Sequence, residues 1–369
     1  HEPATIPSPL PGHRLRVRHL GNVRATAAGG ESIQAASNQA SGGVSPACEH
    51  DREQTVTLRA PYPYFGGKSR AAHLIWERFG DVANYVEPFA GSLAVLLARP
   101  TEPRIETVND LDCHIANFWR AVQSDPDAVA KWCDWPVNEA DLHARHLWLV
   151  QGLPAHRERM MTEPDYFDAK IAGWWVWGIC QWIGSGWCAE RKPGRQLPHV
   201  GNTGRGVHRK RPHVADAGMG VHRKLPHVGG TGRGVHRKTG AMFQELTDRL
   251  RNVRVCCGDW SRVTGDSVTW RHGVTGVLLD PPYQDGDMEY VAGHGNVSQD
   301  VAKWAIENGD NPMMRIALCG YEGEHVMPAS WECVHWKATG GYSSDLTNSR
   351  RERIWFSPHC LGGKQRSLF

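Results

Sequence analysis

The segment Asp280-Pro281-Pro282-Tyr283 places a carboxylate, two prolines and a hydroxyl-bearing ring directly after the short apolar run 276–279. That run is typical of a buried strand in a parallel sheet. Two prolines end a strand and fix the turn that follows. Because open α/β sheets bind ligands beyond the carboxyl ends of their strands, we expect the carboxylate and the ring to stand in a crevice there. The alternative is an ordinary strand-to-loop turn with a solvated aspartate and a packed tyrosine.

A glycine-containing motif, Tyr64-Phe65-Gly66-Gly67-Lys68, lies upstream and directly precedes a predicted helix over residues 69–80. Ser69 can cap the start of that helix and Gly80 can end it. Glycines at such a turn let the backbone approach a ligand closely.

Two further motifs follow predicted strands. The strand 84–86 runs into Glu87-Pro88-Phe89-Ala90-Gly91-Ser92, and the apolar residues 93–98 predict a buried helix. The strand 105–108 ends in Asn109-Asp110 and also leads into a predicted helix. A strand, a turn of small residues and a helix form the opening of a nucleotide-binding α/β unit.

Composition indicates the size of the core, the partners of the chain and its cellular compartment. With 369 residues and 40% hydrophobic content, the chain can bury a full core. The net charge is +3, yet residues 191–238 alone hold twelve Lys and Arg and one acid, so this segment is a candidate for binding a polyanion. No apolar run has the length of a membrane span, and the ten cysteines include no CxxC pair. These features predict a cytoplasmic chain with reduced cysteines and no metal site.

Four regions are predicted along the chain. Residues 1–57 lack any periodicity and are expected to be disordered. Residues 58–123 form the first part of an α/β core, and residues 246–369 form the second part. Residues 124–245 between them are mainly helical and rich in tryptophan, for which core packing is the simpler explanation. Further strands are predicted at 253–257, before Gly258-Asp259-Trp260, and at 315–319, 331–335 and 353–356.

A tandem repeat of period 14 occupies residues 198–238. Pro-His-Val recurs at 198, 212 and 226, and Gly-Val-His-Arg-Lys recurs at 206, 220 and 234. Units this short and polar cannot bury a core, so we expect a surface arm of turns or small hairpins. Its basic residues suit phosphate groups of DNA: Arg205, Arg209, Lys210, Arg223, Lys224, Arg233, Arg237 and Lys238. A flexible duplicated linker is the alternative.

The four motifs, in this order, resemble the Dam-type adenine-specific DNA methyltransferases, which use S-adenosylmethionine (AdoMet). The resemblance covers residues 58–369 and implies a fold: an α/β, Rossmann-like AdoMet-dependent methyltransferase sheet with an inserted, mainly helical, basic target-recognition domain. It also implies a cofactor site made of Tyr64, Phe65, Gly66, Gly67, Lys68, Glu87, Pro88, Phe89, Gly91, Asp110, Asp259, Trp260 and Asp280. Within this set Asp110 would bind the ribose of the cofactor, and the Asp259-Trp260 pair would lie near its adenine. One departure is Leu93, which stands where the family usually has a glycine.

The resemblance assigns catalysis to Asp280, Pro281, Pro282 and Tyr283. The carboxylate of Asp280 and the carbonyl of Pro281 would accept the hydrogens of an adenine amino group and favour its attack on a methyl group. The target base would be flipped out of double-stranded DNA and would stack on Tyr283.

The expected function is therefore methylation of the 6-amino group of adenine in a short DNA sequence, in restriction–modification or in phage protection against restriction. A cognate restriction endonuclease is a candidate partner, no membrane is involved, and the chain would act as a monomer or weak dimer. Two alternatives stay open. One changes the substrate to RNA adenine or to the amino group of DNA cytosine, and the other is a catalytically silent DNA-binding homologue.

Overall fold

The computed structural model describes residues 58–64, 66–182, 187–188, 235–283, 297–336 and 351–362, with side chains of the 235–250 helix described from Gly240 onward. These residues contain one sheet of seven strands. The strands are β1 (Asn84–Glu87), β2 (Ile105–Asp110), β3 (Val253–Cys257), β4 (Thr275–Leu279), β5 (Met314–Tyr321), β6 (Glu332–His335) and β7 (Glu352–Phe356). Each of them coincides with a strand predicted from the sequence.

The strands lie in the order β3-β2-β1-β4-β5-β7-β6. Neighbours from β3 to β5 are parallel, whereas β7 runs antiparallel to both β5 and β6. Strand β1 pairs with β2 on one side and with β4 on the other, so the strand order reverses between β1 and β4. Sheets of this kind form their ligand crevice at such a reversal point. The α/β prediction is confirmed, and the sheet is consistent with a Rossmann-like methyltransferase fold.

Helices cover both faces of the sheet. In chain order they are α1 (Ala72–Phe79), α2 (Ala94–Leu97), α3 (Cys113–Ser124), α4 (Pro126–Cys133), α5 (Glu139–Thr162), α6 (Ala169–Gln181), α7 (Val235–Leu250) and α8 (Val297–Asn308). Alternate residues of the central strands enter different apolar clusters: Ala317 joins the cluster with α1, α3 and α6, and Ile316 joins the cluster with α8. Burial on both faces explains why the parallel strands read as continuous apolar runs. No helix within the described residues is both long and apolar enough to cross a bilayer.

Two helix starts differ from the sequence-based expectation. Helix α1 begins at Ala72 after Ala71, which makes no side-chain capping bond, so the prediction that Ser69 caps it is wrong. Its end at Gly80 is confirmed by a φ of 61° and by a bond from the Gly80 N–H to the Trp76 carbonyl. Helix α2 was expected to include Leu93, but this residue precedes the helix with a left-handed φ of 55°.

The third difference concerns the last repeat unit, residues 234–238. Turns or hairpins were predicted there, yet the backbone is helical from Val235 onward. The reason lies downstream, where Phe243, Leu246 and Leu250 are buried on one face of α7. A helix anchored by such a stripe extends into preceding polar residues, because each added residue brings one more backbone bond. The remaining repeat residues, like residues 1–57, lie outside the described part of the chain.

The tryptophans of α6 pack as the sequence suggested. Trp175 and Trp177 are buried, and the Trp175 ring contacts Tyr62 edge-on with 5.0 Å between ring centroids. Trp187 lies so close to Gly178 that a Cβ there would come within 1.9 Å of the indole ring. Helices α4 and α6 thus share one apolar cluster with the sheet. The division of the chain at residues 124 and 245 stays a prediction.

Candidate active site

The carboxyl ends of β1, β2 and β3 are tied together by backbone and amide hydrogen bonds. The side chain of Asn109 donates to the carbonyls of Pro88 (3.0 Å) and Gly258 (2.9 Å). The Gly258 N–H donates to the Asp110 carbonyl (3.0 Å), and the Ala90 N–H donates to the Asn109 carbonyl (2.8 Å). The motifs after β1 and β2 and the segment after β3 therefore meet at one edge of the sheet.

The turn after β1 is built around Gly91, whose φ is 44°. Its carbonyl accepts hydrogen bonds from the Tyr62 hydroxyl (2.8 Å) and the Trp119 indole (3.0 Å), and its N–H donates to Asp110 Oδ2 (3.0 Å). A Cβ on this residue would lie 2.7 Å from the Tyr64 ring. Glycine is required here by backbone conformation and by space.

Asp110, at the end of β2, is oriented by two backbone donors. Gly91 N–H bonds to its Oδ2, and Asp112 N–H bonds to its Oδ1 at 2.9 Å. Burial raises the pKa of Asp110 to about 7, and the neighbouring charge of Asp112 adds to this effect.

Glu87, the last residue of β1, is a buried carboxyl group with 4% of its surface exposed. The Tyr85 hydroxyl donates to its Oε2 at 3.0 Å. Burial raises the pKa of Glu87 to about 8, with Asp280 adding to the shift and the Tyr85 bond opposing it. Among the described residues, no basic side chain forms an ion pair with Glu87 or Asp110. Two such carboxyl groups at one sheet edge suit a ligand that carries positive charge and hydroxyl groups.

Asp280 directly follows β4 and pairs with Lys68, the last residue of the glycine-containing motif. Lys68 Nζ lies 2.8 Å from Asp280 Oδ1 and donates to the Gly66 carbonyl at 2.7 Å. Burial alone would lower the pKa of Lys68, but the carboxylates of Asp280 and Glu352 hold it well above its usual value. The turn at Gly66, with a φ of 70°, thus aims a buried cation at the aspartate.

Tyr283 completes a cluster with two carboxyl groups. Its hydroxyl lies 3.0 Å from Asp280 Oδ1 and 3.1 Å from Glu352 Oε2. A hydroxyl has one hydrogen, so it donates to one carboxylate at a time, and both contacts are satisfied when Glu352 is protonated. Burial raises the pKa of Glu352, and the charge of the nearby Lys68 opposes this shift. The Tyr283 ring packs edge-on against Tyr321, with centroids 4.6 Å apart.

Both polar contacts of the Asp280 side chain go to the same oxygen. Oδ1 faces Lys68 and Tyr283, whereas Oδ2 has no hydrogen-bond partner within the described residues. The side chain is 23% exposed, so this second oxygen is available to a donor that enters from outside. A carboxylate can accept about four hydrogen bonds, so Oδ2 has capacity for a further donor.

The other predicted site residues fall into three groups. Pro88 and Pro281 are buried, and Phe89 and Pro282 are half-buried, all next to the carboxylates named above. Asp259 is exposed and accepts the Ser261 N–H at the start of a short 3-10 turn, whose first residue, Trp260, contacts Trp304 edge-on. Outside the described part of the chain lie Phe65 and the side chains of Arg205, Arg209, Lys210, Arg223, Lys224, Arg233, Arg237 and Lys238.

Sequence reasoning missed Glu352. Strand β7 begins at this residue, and its antiparallel pairing places Glu352 opposite Tyr321, beside Tyr283. The available signal was a single acid between Arg351 and Arg353 at the start of an apolar strand.

The sheet with its reversal point is consistent with a Rossmann-like methyltransferase fold, and carboxyl groups stand at the ends of β1 and β2 and directly after β4. Residues 64–142 match the family model of the D12 class N6 adenine-specific DNA methyltransferases. This match confirms the resemblance drawn from the motifs and supports an enzyme that methylates adenine in DNA, a reaction that requires a methyl donor. No curated protein matches the chain. The matched residues include Lys68, Glu87 and Asp110, while Asp280 lies beyond them.

Proposed function

We propose that this chain transfers the methyl group of AdoMet to the 6-amino group of adenine within a short sequence of double-stranded DNA. The observation that carries the proposal is Asp280 Oδ2, which has no partner among the described residues and is held beside a buried lysine at the reversal point of the sheet. The family match at residues 64–142 supports the same reaction.

The residues at the ends of β1 to β3 fit AdoMet as the methyl donor. AdoMet has two positive charges, on its sulfonium and its amino group, and its ribose has two hydroxyl groups. Glu87 is a buried carboxyl group without a cationic partner in the described residues, so a cation bound there would stabilise its ionised form. Asp110 would accept the ribose hydroxyls, and the exposed Asp259 with Trp260 would lie near the adenine. When bound, AdoMet supplies an electrophilic methyl group.

The residues after β4 would act on the target base. The amino group of adenine is a weak nucleophile because its lone pair is delocalised into the ring. Asp280 Oδ2 and the carbonyl of Pro281 would each accept one amino hydrogen, which favours a pyramidal nitrogen and the charge that develops on it. Lys68 and Tyr283 fix the orientation of the Asp280 side chain, because both bind Oδ1 and leave Oδ2 for the substrate.

The base must leave the duplex to reach Asp280, since its amino group is otherwise paired. The ring of Tyr283 is half-buried and would present a stacking face to the flipped adenine. The repeat segment 198–238 would contact phosphate groups. In the cell, the reaction would serve restriction–modification beside a cognate endonuclease, or would protect phage DNA. The enzyme would act in the cytoplasm as a monomer or weak dimer.

The test is methyl transfer from radiolabelled AdoMet to three defined oligonucleotides: double-stranded DNA, the same sequence as RNA, and DNA without adenine. We expect label only in adenine-containing DNA. Asp280→Asn should lower the rate about 100-fold or more, because it removes a charge acceptor at the reacting nitrogen. Asp266→Asn, which changes an exposed aspartate, is the matched control and should keep full activity.

Other outcomes select the alternatives. Label in RNA alone would indicate an RNA-adenine enzyme, and label in adenine-free DNA would indicate methylation of the cytosine amino group. DNA binding with no label in any substrate would indicate a catalytically silent homologue.

A further inference from the structure

A second cavity, of about 530 Å³, lies among helices α4, α5 and α6 and shares no lining residue with the site at Asp280. Its volume is within the range of about 300–1,000 Å³ that is typical of small-molecule pockets. Aromatic and cationic side chains dominate the lining: Lys131, Trp132, Trp135, Arg145, Trp148 and Trp174. Neither the family match nor the motifs give this cavity a role.

Arg145 is the unusual residue of this cavity. It is 7% exposed, and its guanidinium stacks on the rings of Trp177, Trp174 and Trp135 at 4.3, 4.9 and 5.0 Å. Within the described residues it makes no hydrogen bond and no ion pair, and its buried Nη1 has no acceptor. Aromatic faces offset part of the cost of burying a cation, but they do not satisfy its N–H donors. Arg145 therefore carries an unsatisfied N–H donor in the ligand-free chain, which a ligand that entered the cavity could satisfy.

Asp141, one helical turn before Arg145, also lines the cavity and has its own partners. Its Oδ2 accepts from the Trp135 indole and from the Asn138 amide, the latter at 2.7 Å. Its Oδ1 has no hydrogen-bond partner among the described residues. Residues four apart on a helix lie on the same face, so a free acceptor and a free guanidinium are presented side by side.

Flat apolar walls surround these two groups. Trp148 and Trp135 are 43% and 47% exposed, and Trp148 stands edge-on to Trp174 with ring centroids 5.2 Å apart. Lys170 Nζ lies over the Trp174 ring at 4.4 Å and adds a cation beside the tryptophans of the cavity. Exposed tryptophans beside cations are the features that bind unstacked bases of a nucleic acid.

We propose that this cavity binds one guanine of the DNA substrate that is out of the base stack, with Arg145 donating to its O6 and N7. A guanidinium matches these two adjacent acceptors in a bidentate fashion. Asp141 Oδ1 would accept from the N1–H or the amino group on the other edge of the base. Adenine presents a donor at position 6 and lacks the N1–H, so the same pair of groups disfavours it. The inference rests on the proposed function, which supplies DNA as the substrate, and it assigns sequence specificity to this cavity.

The test is calorimetric titration of the full chain with GMP, AMP and inorganic phosphate. We expect GMP to bind at least about tenfold more tightly than the other two, since a bidentate base contact discriminates by that order. Arg145→Gln and Trp148→Ala should each weaken GMP binding about tenfold or more. Arg159→Gln is the matched control, because Arg159 is on the same helix but pairs with Glu163 outside the cavity.

Three results would overturn the inference. They are GMP binding no tighter than phosphate, GMP binding that Arg145→Gln and Trp148→Ala leave unchanged, and GMP binding that Asp110→Asn abolishes, which would place the nucleotide in the cofactor site. Trp148 is largely accessible, so Trp148→Ala decides the matter if Arg145→Gln does not fold.

The two proposals fail separately. If the chain binds GMP in this cavity but transfers no methyl group, the proposed function is refuted and the guanine site stands. If the chain methylates DNA but does not bind GMP, only the guanine site is refuted.

Discussion

Replacing Glu87 with glutamine tests whether a buried carboxyl group destabilises the ligand-free site at neutral pH. Glu87 is 4% exposed and accepts a hydrogen bond from Tyr85, which a glutamine oxygen can also accept. Burial raises its pKa from an ordinary 4.5 to about 8. A pKa shift of this size means that folding disfavours the ionised form of Glu87 relative to the neutral form by a free energy of about 5 kcal/mol.

The direction in which stability changes with pH follows from proton linkage. The folded chain binds a proton at Glu87 more tightly than the unfolded chain does. The resulting stability is complete below pH 4.5 and is lost as the pH rises through about 8. Glutamine cannot ionise, so the variant and the wild type should have similar stability near pH 5. Above pH 8 the variant should be more stable by up to about 5 kcal/mol.

Urea unfolding of both proteins at half-unit steps from pH 5 to pH 9 measures this difference. Glu77→Gln, on the exposed face of α1, is the control and should show no comparable dependence on pH. A difference between Glu87→Gln and wild type that is constant with pH, or a variant less stable at pH 9, would refute the reasoning. By the same linkage, AdoMet should bind the wild type more tightly as the pH rises toward 8, and the variant should lose this dependence.

The remaining predictions concern the turn residues and the ion pair, and urea unfolding measures each of them. Leu93→Gly should be less stable than wild type, because it removes a buried side chain. It should be about 1 kcal/mol more stable than Leu93→Ala, because only glycine adopts the left-handed φ without strain. A glycine variant that is less stable than the alanine variant would contradict this. Gly91→Ala should cost about 1–3 kcal/mol through its clash with a tyrosine ring, whereas Gly152→Ala, with open space around it, should not destabilise; equal effects would count against the turn geometry. Asp280→Asn should lower the free energy of unfolding by about 3 kcal/mol, because it leaves the Lys68 charge buried and unpaired. Lys68→Met should lower it by less, because the aspartate that remains is partly exposed. The reverse order would show that the pair is not buried as described.

The strands and their strand-end residues could be predicted from the sequence because they depend on local pattern. Short apolar runs bounded by turn residues marked all seven strands, and the polar residue after each run followed directly. Asp110 and Asp280 were therefore found at the correct sheet edge before any packing was known. Leu93 was instead expected inside a helix, and its left-handed conformation before α2 was not foreseen.

Contacts between distant elements could not be predicted in this way. Glu352 reaches Tyr283 only because β7 inserts antiparallel beside β5, a pairing that periodicity does not encode. Lys68 was expected in the cofactor site, and its ion pair with Asp280, which brings two distant motifs together, was not foreseen. The isolation of Arg145 among tryptophans depends on how α5 packs on α6, which no single-helix pattern reveals.

The central claim is tested most directly by single-molecule sequencing, with modified-base detection, of DNA from a methylation-free bacterial host that expresses this protein. The same host with Asp280→Ala is sequenced beside it. We predict N6-methyladenine in one short motif with the wild type and none with the variant. Unmodified adenine throughout, from soluble protein that still binds AdoMet, would contradict the account.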